Sequence, residues 1–164
     1  MRTRTAPSNR RSLAAFALVL GALVPALAGC TLFEGPTPDA PKRETPAVPE
    51  KAPEFFPHGT AEQNLPYFTE VIRDFAKSDE PVRGEPVAQA VIDSGFDRGA
   101  MQVSFDRTQT GLEADNIFVS VRIGEDCLIG QVVAEDRSFV AVTEPAVGPE
   151  RDICLIGETR PIDW

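Results

Sequence analysis

The chain has 164 residues, with 16 basic and 25 acidic side chains and a formal net charge of −9. This acidity argues against binding to nucleic acid or to an anionic lipid surface, since both require a positive footprint on the protein. The length allows one folded domain after the N-terminal segments described next are set aside.

The first 29 residues have the organisation of an export signal. Four arginines precede an apolar stretch from Leu13 to Ala28, and the sequence Leu27-Ala28-Gly29-Cys30 closes it. This ending resembles the signals of bacterial lipoproteins, and the resemblance implies cleavage before Cys30 and transfer of a diacylglyceryl group to the Cys30 sulfur. Two acyl chains hold a protein stably on a bilayer. We expect a signal peptide over 1–29 and a membrane anchor at Cys30; plain secretion or a retained membrane helix is the alternative.

Residues 30–57 are predicted to form the lipidated cysteine and a proline-rich, disordered tether. Proline fixes φ and removes a backbone donor, so such a stretch neither pairs into a sheet nor continues a helix. We interpret it as an extended spacer between the membrane and a single domain over 58–164. Seven of the chain's 15 prolines lie in it: Pro36, Pro38, Pro41, Pro46, Pro49, Pro53 and Pro57.

Two helices are predicted at the start of this domain. Apolar residues recur at helical spacing from Leu65 to Phe75,. Thr60 and Gln63 have the spacing of a capping box, but Pro66 follows, so the helix either bends at Pro66 or begins at Asn64. A second helix is predicted from Pro86 to Ser94.

The pattern then changes to the two-residue period of β-strands. Alternating apolar residues predict strands at 101–105 and 117–123, an apolar run predicts a central strand over 127–134, and further strands are predicted at 138–143 and 152–156. Short connections favour an antiparallel meander. The predicted fold is α+β, with two N-terminal helices packed on one face of a four- or five-stranded antiparallel sheet.

Cys127 and Cys154 lie in apolar, strand-like segments of a domain expected outside the membrane, where disulfides persist. We predict that the two residues form a disulfide bond; two separate buried thiols are the alternative. No third and fourth ligand accompany them, which argues against a metal site.

The stretch from Asn116 to Gln131, together with Asn64-Leu-Pro-Tyr-Phe68, resembles a family of small actinobacterial lipoproteins of unknown function. Its most specific part is Gly-Glu-Asp-Cys-Leu-Ile-Gly-Gln at 124–131. The resemblance extends from about Thr60 to the C-terminus. It implies the extracytoplasmic location and carries no functional residue.

No catalytic constellation is recognisable in the sequence. The sole histidine, His58, stands at the junction of tether and domain, and no G-x-S-x-G motif is present,. Adjacent acids fall at predicted turns, and only a weak ion site is conceivable at Glu113, Asp115 and Asn116. We therefore predict that the protein is not an enzyme and binds no cofactor or metal.

The outer face of the sheet is the predicted partner surface. If Ile117 and its alternate neighbours face the helices, Phe118 points away from them, together with either Leu128 and Val132 or Ile129 and Val133; of these we favour Phe118, Leu128 and Val132. Exposed apolar patches mark binding surfaces. The alternative is that the C-terminal segment covers this face.

These features favour a non-catalytic binding module, lipid-anchored through Cys30 at the outer face of the plasma membrane. Its expected partner is a protein or small ligand. A structural or envelope-assembly factor is the alternative.

Overall fold

The computed structural model describes residues 45–164. The predicted signal peptide, Cys30 and the predicted spacer as far as residue 44 lie outside the described residues. Two helices lie on one face of a five-stranded antiparallel sheet, which confirms the predicted α+β fold. Within residues 45–164 there is no helix long and apolar enough to cross a membrane.

The first helix, α1, spans Ala61–Lys77 and begins with the predicted capping box. The Gln63 N–H donates to Thr60 Oγ1 at 3.2 Å, and the Thr60 N–H donates to Gln63 Oε1 at 2.9 Å. Pro66 lies inside the helix. Because proline has no N–H, the Glu62 carbonyl lacks the helical hydrogen bond that residue 66 would otherwise donate. The helix nevertheless continues before and after Pro66. The helix therefore begins at the capping box and not at Asn64.

The second helix, α2, spans Gly84–Asp93 and begins two residues before the predicted start. The Gly84 N–H donates to Asp106 Oδ1 at 2.6 Å, so a carboxylate from the sheet side satisfies one of the free donors at this helix end,. Gly95 follows the helix with φ of 103° and turns the chain, after which the buried Phe96 packs back on the core,.

The sheet has strand order β4-β3-β2-β1-β5. Its strands are β1 (Met101–Ser104), β2 (Asn116–Ile123), β3 (Asp126–Val133), β4 (Phe139–Pro145) and β5 (Thr159–Arg160). The first four form the predicted meander, whereas β5 pairs with β1 at the opposite edge. The prediction of a strand over 152–156 is wrong, because Ile153 forms only an isolated bridge with Val147 among the described residues. The last strand is β5, further along the chain.

The core lies between the helices and the inner face of the sheet. Ile117, Val119 and Val121 of β2 point towards the helices and are at most 2% exposed. Phe68 and Ile72 of α1 are fully buried in the same cluster. Burying side chains of this kind contributes about 1.5–3 kcal/mol each.

The packed part of the chain begins before residue 58, where the sequence placed the domain boundary. Phe55 lies against Tyr67 and Phe96, with ring centroids 5.3 and 4.9 Å away. The Arg73 guanidinium donates to the carbonyl of Pro46 at 2.8 Å. The two ends of the segment 46–57, which the sequence assigned to the disordered tether, therefore contact the helical layer.

Candidate functional site

The register of the β2–β3 hairpin decides which side chains form the outer face of the sheet. Val121 pairs with Leu128 and Ile117 pairs with Val132. Leu128 and Val132 therefore share the inner face with these core residues, and both are 0% exposed. Their assignment to a partner surface is wrong for that reason.

The alternative pair lies on the outer face, as the same register shows. Ile129 pairs with Ser120, and Val133 pairs with Asn116, on the side of the sheet opposite the helices. Phe118 shares this side and is 36% exposed. The prediction that Phe118 points outward is therefore correct.

The C-terminal segment crosses one half of the outer face. A disulfide bond joins Cys127 of β3 to Cys154, with the Cα atoms 5.6 Å apart. Beside it, Gln102 Oε1 of β1 accepts hydrogen bonds from the N–H groups of Cys154 and Leu155, each at 2.9 Å. Both cysteines are buried with Ala146. The predicted disulfide is present. The alternative prediction, that the C-terminal segment covers the outer face of the sheet, is correct for this half of the face.

The other half of the outer face remains open and contains a groove of about 300 Å³. We call it the outer groove and define it by Phe118, Ile129, Leu155 and Ile156. Ile156 is 92% exposed, because the chain reverses beside it at Gly157, where φ is 115°. An aliphatic side chain in water beside an open apolar groove is a typical feature of an interaction surface.

The surface of the groove is mostly apolar, although Ser104, Glu158 and Thr159 also line it. Glu158 lines the groove, but its Oε2 accepts a hydrogen bond from Gln109 Nε2 at 2.6 Å. Ser120, opposite Ile129, is fully buried and its hydroxyl has no hydrogen-bond partner among the described residues. The groove is therefore suited to removing apolar surface from water, at about 25 cal/mol per Å² buried.

The residues considered for chemistry do not converge in the groove. His58 is exposed near the start of α1. Glu113 pairs with Arg107 at 3.1 Å and with Arg83 at 4.0 Å, instead of joining Asp115 and Asn116 around an ion. Over residues 45–164 no group of three or more His, Cys, Asp or Glu side chains is placed to hold a metal ion.

A second cleft, of about 550 Å³, lies at the edge formed by β1 and β5 and was not predicted. Arg160 pairs there with Asp106 at 3.0 Å and lies over the Trp164 ring at 4.7 Å. The cleft was not predicted because its residues are far apart in the chain and form no recognisable sequence motif. The charged side chains are balanced in number: Arg83, Arg107 and Arg160 against Asp106, Glu113 and Asp163.

Fold and site together define a small two-layer α+β domain with a disulfide-fixed C-terminal segment and an apolar groove on its outer face. The chain belongs to the family described as domain of unknown function DUF6993, which matches residues 72–158. This match includes most of the sheet and every residue that defines the outer groove. No curated protein and no solved structure matches the chain.

Proposed function

We propose that the protein is an actinobacterial lipoprotein that acts as a non-catalytic binding module. It is anchored through Cys30 at the outer face of the plasma membrane and receives apolar side chains of a partner protein in the outer groove. The observation that carries the binding role is the juxtaposition of Ile156, 92% exposed, with the groove beside Phe118 and Ile129.

The location is supported by the Leu27-Ala28-Gly29-Cys30 sequence after its basic and apolar segments,. Removing the leader lowers the basic count from 16 to 12 by the loss of four arginines, while all 25 acidic residues remain. The exported chain is then more acidic. This charge favours solubility of the displayed domain and disfavours direct adhesion to an anionic membrane.

The binding role is supported by the composition of the groove. Its defining side chains are two isoleucines, a leucine and a phenylalanine, supplied by two strands and by the segment that the disulfide holds. An aromatic or aliphatic anchor seated in a pocket is the central element that a binding interface needs. Because the disulfide fixes one wall, the groove is preorganised and little ordering entropy is lost on binding.

Photo-crosslinking in cells tests the binding role. A photoreactive residue replaces Ile156 in one strain and Val48 in a control strain; Val48 is apolar and 69% exposed but does not line the outer groove. We expect a protein adduct at position 156 that is absent at position 48 and is lost when Phe118→Glu is added. Equal adducts at both positions, or an adduct insensitive to Phe118→Glu in a folded protein, would contradict the proposal.

Mass spectrometry of the mature N-terminus tests the anchor separately. We expect a diacylglyceryl-modified Cys30 at the first position, and loss of membrane association in Cys30→Ser. An unmodified mature N-terminus at another residue would exclude the anchor and leave the groove proposal intact.

A further inference from the structure

Residues 45–57 lie across the helical layer in an irregular conformation, and we call them the strap. The backbone of residues 45–55 makes no backbone–backbone hydrogen bond to the rest of the described chain. The strap is instead attached near its two ends by side chains of α1.

The end of the strap next to the domain is attached through Asn64 and Phe55. Asn64 is fully buried; its Oδ1 accepts from the Phe56 N–H, and its Nδ2 donates to the Phe56 carbonyl, both at 2.9 Å. Phe55 packs in the aromatic cluster with Tyr67 and Phe96. This end is therefore integrated in the core.

The N-terminal end of the strap is attached through Arg73. Its Nη2 donates to the carbonyls of Pro46 and Ala47 at 2.8 and 3.0 Å, and its Nε contacts both oxygens of Glu70 at 2.9 and 3.2 Å. The guanidinium also lies over the Phe139 ring at 5.2 Å. Arg73 is only 4% exposed, so its donors need acceptors within the protein while the strap covers it,.

The middle of the strap contributes little to docking. A cleft of about 580 Å³ lies between residues 48–53 and the two helices. Val48 is 69% exposed, and the Lys51 and Glu54 side chains are 88% and 71% exposed. Few buried contacts and few backbone hydrogen bonds are the marks of a segment that opens locally before the fold does.

We infer that the strap has two states, docked and released, and that Arg73 is the latch between them. Release rehydrates the Arg73 Nη2, so the guanidinium is not left buried without acceptors. The latch lies at the end of the strap farther from the fold, so a pull from the N-terminal side breaks the bonds to Pro46 and Ala47 first. The ten residues from 45 to 54, extended at about 3.1 Å per residue, then span at most about 30 Å beyond the attachment at Phe55,.

The proposal concerns the docked strap and is independent of what the outer groove binds. Under the proposed anchoring, release would extend the distance that the domain can reach from the membrane. The spacer would therefore have two lengths, a shorter one with the strap docked and a longer one with the strap released.

Cleavage after Lys51 by a lysine-specific protease measures release, because the protease must bind several residues on each side of the cleaved bond and the docked strap is held on both sides of Lys51, at Pro46 and Ala47 and at Phe55. We expect Arg73→Gln to accelerate cleavage after Lys51 at least tenfold. Arg73→Lys should accelerate it less, because the ammonium keeps the positive charge and some of the donors but lacks the planar fork of the guanidinium. Lys77, at the C-terminal end of α1, lies outside the strap, and cleavage after it should not be accelerated. The matched control is Arg122→Gln, because the Arg122 side chain is exposed and, among residues 45–164, donates only to the nearby Gly124 carbonyl.

A second variant avoids the buried position. Replacing Pro46 and Ala47 together by glycine leaves both carbonyls and the core in place but raises the conformational entropy of the released strap. We expect faster cleavage after Lys51 with unchanged thermal unfolding. Equal rates in the parent chain, the Arg73 variants and this double variant, or an acceleration after Lys77 equal to that after Lys51, would overturn the inference.

Discussion

The disulfide between Cys127 and Cys154 joins the outer face of strand β3 to a segment outside the β-ladder, with Cα atoms 5.6 Å apart. The same bond covers one half of the outer face and holds Leu155 and Ile156 beside the other half. A single covalent link therefore separates the closed part of this surface from the open groove.

Removing both cysteines should destabilise the domain strongly. The bond closes a loop with a sequence separation of 27 residues, and in the chain-entropy account a loop of this length contributes about 3.5 kcal/mol. We expect Cys127→Ala with Cys154→Ala to lower the free energy of unfolding by roughly this amount in urea titrations. The parent chain under reducing conditions is the control and should approach the same stability. A loss below about 1 kcal/mol would contradict the entropic assignment.

Gly130 of β3 lies directly against α1. A Cβ at this position would lie 3.0 Å from Ile72 Cδ1 and 3.2 Å from Phe68 Cε1, and both side chains are fully buried. We expect Gly130→Ala to cost about 1–3 kcal/mol through overpacking. Gly99→Ala is the control, since its Cβ would meet nothing closer than 3.4 Å in an exposed turn. Equal stability of the two variants in thermal unfolding would show that α1 can shift.

The sequence was sufficient for the fold class because both periods are clear in it. The helical spacing from Leu65 to Phe75 and the capping box at Thr60 predicted α1. The inner face of β2 also followed from alternation. The edge strand β5 could not be found, because two residues carry no period.

The faces of β3 could not be assigned by pattern because the strand is apolar on both sides. The length of the turn would have decided the faces. A two-residue connection at Gly124 and Glu125 pairs Ile123 with Asp126. This register places Leu128 opposite Val121 and therefore on the inner face. The docked strap was missed for another reason. Proline content predicts the absence of helix and sheet, but it does not show that backbone carbonyls will meet a buried arginine.

Arg137 caps the C-terminal end of α1 from the turn before β4. Its guanidinium donates to the carbonyls of Phe75, Ala76 and Glu80 at 2.9, 2.9 and 3.0 Å, and lies 5.6 Å from the Phe75 ring centroid. We expect Arg137→Ala to lower stability by about 2–3 kcal/mol, since charged hydrogen bonds to helix-end carbonyls are lost. Urea unfolding measures this loss.

Arg151→Ala is the matched control for this prediction. Arg137 and Arg151 both adopt positive φ, 57° and 50°, but within the described part of the chain the Arg151 side chain makes only an exposed ion pair with Glu125. Its replacement should change stability by less than about 1 kcal/mol. Similar losses in both variants would assign the effect to the backbone conformation rather than to the three hydrogen bonds.

The Ser120 hydroxyl is buried without a hydrogen-bond partner among the described residues. The residue lies fully buried on the outer face of β2. Burying a hydroxyl without a partner costs about 1–3 kcal/mol, so Ser120→Ala should leave stability unchanged or raise it by about 1 kcal/mol, because a small cavity offsets part of the gain. Ser94→Ala is the control: its hydroxyl donates to the Val91 carbonyl at 2.7 Å, and its loss should lower stability by about 1 kcal/mol. If Ser120→Ala is instead the more damaging variant in thermal unfolding, the hydroxyl is bonded in solution. The floor of the outer face beside Ile129 would then be polar, which would argue against an apolar partner at this site.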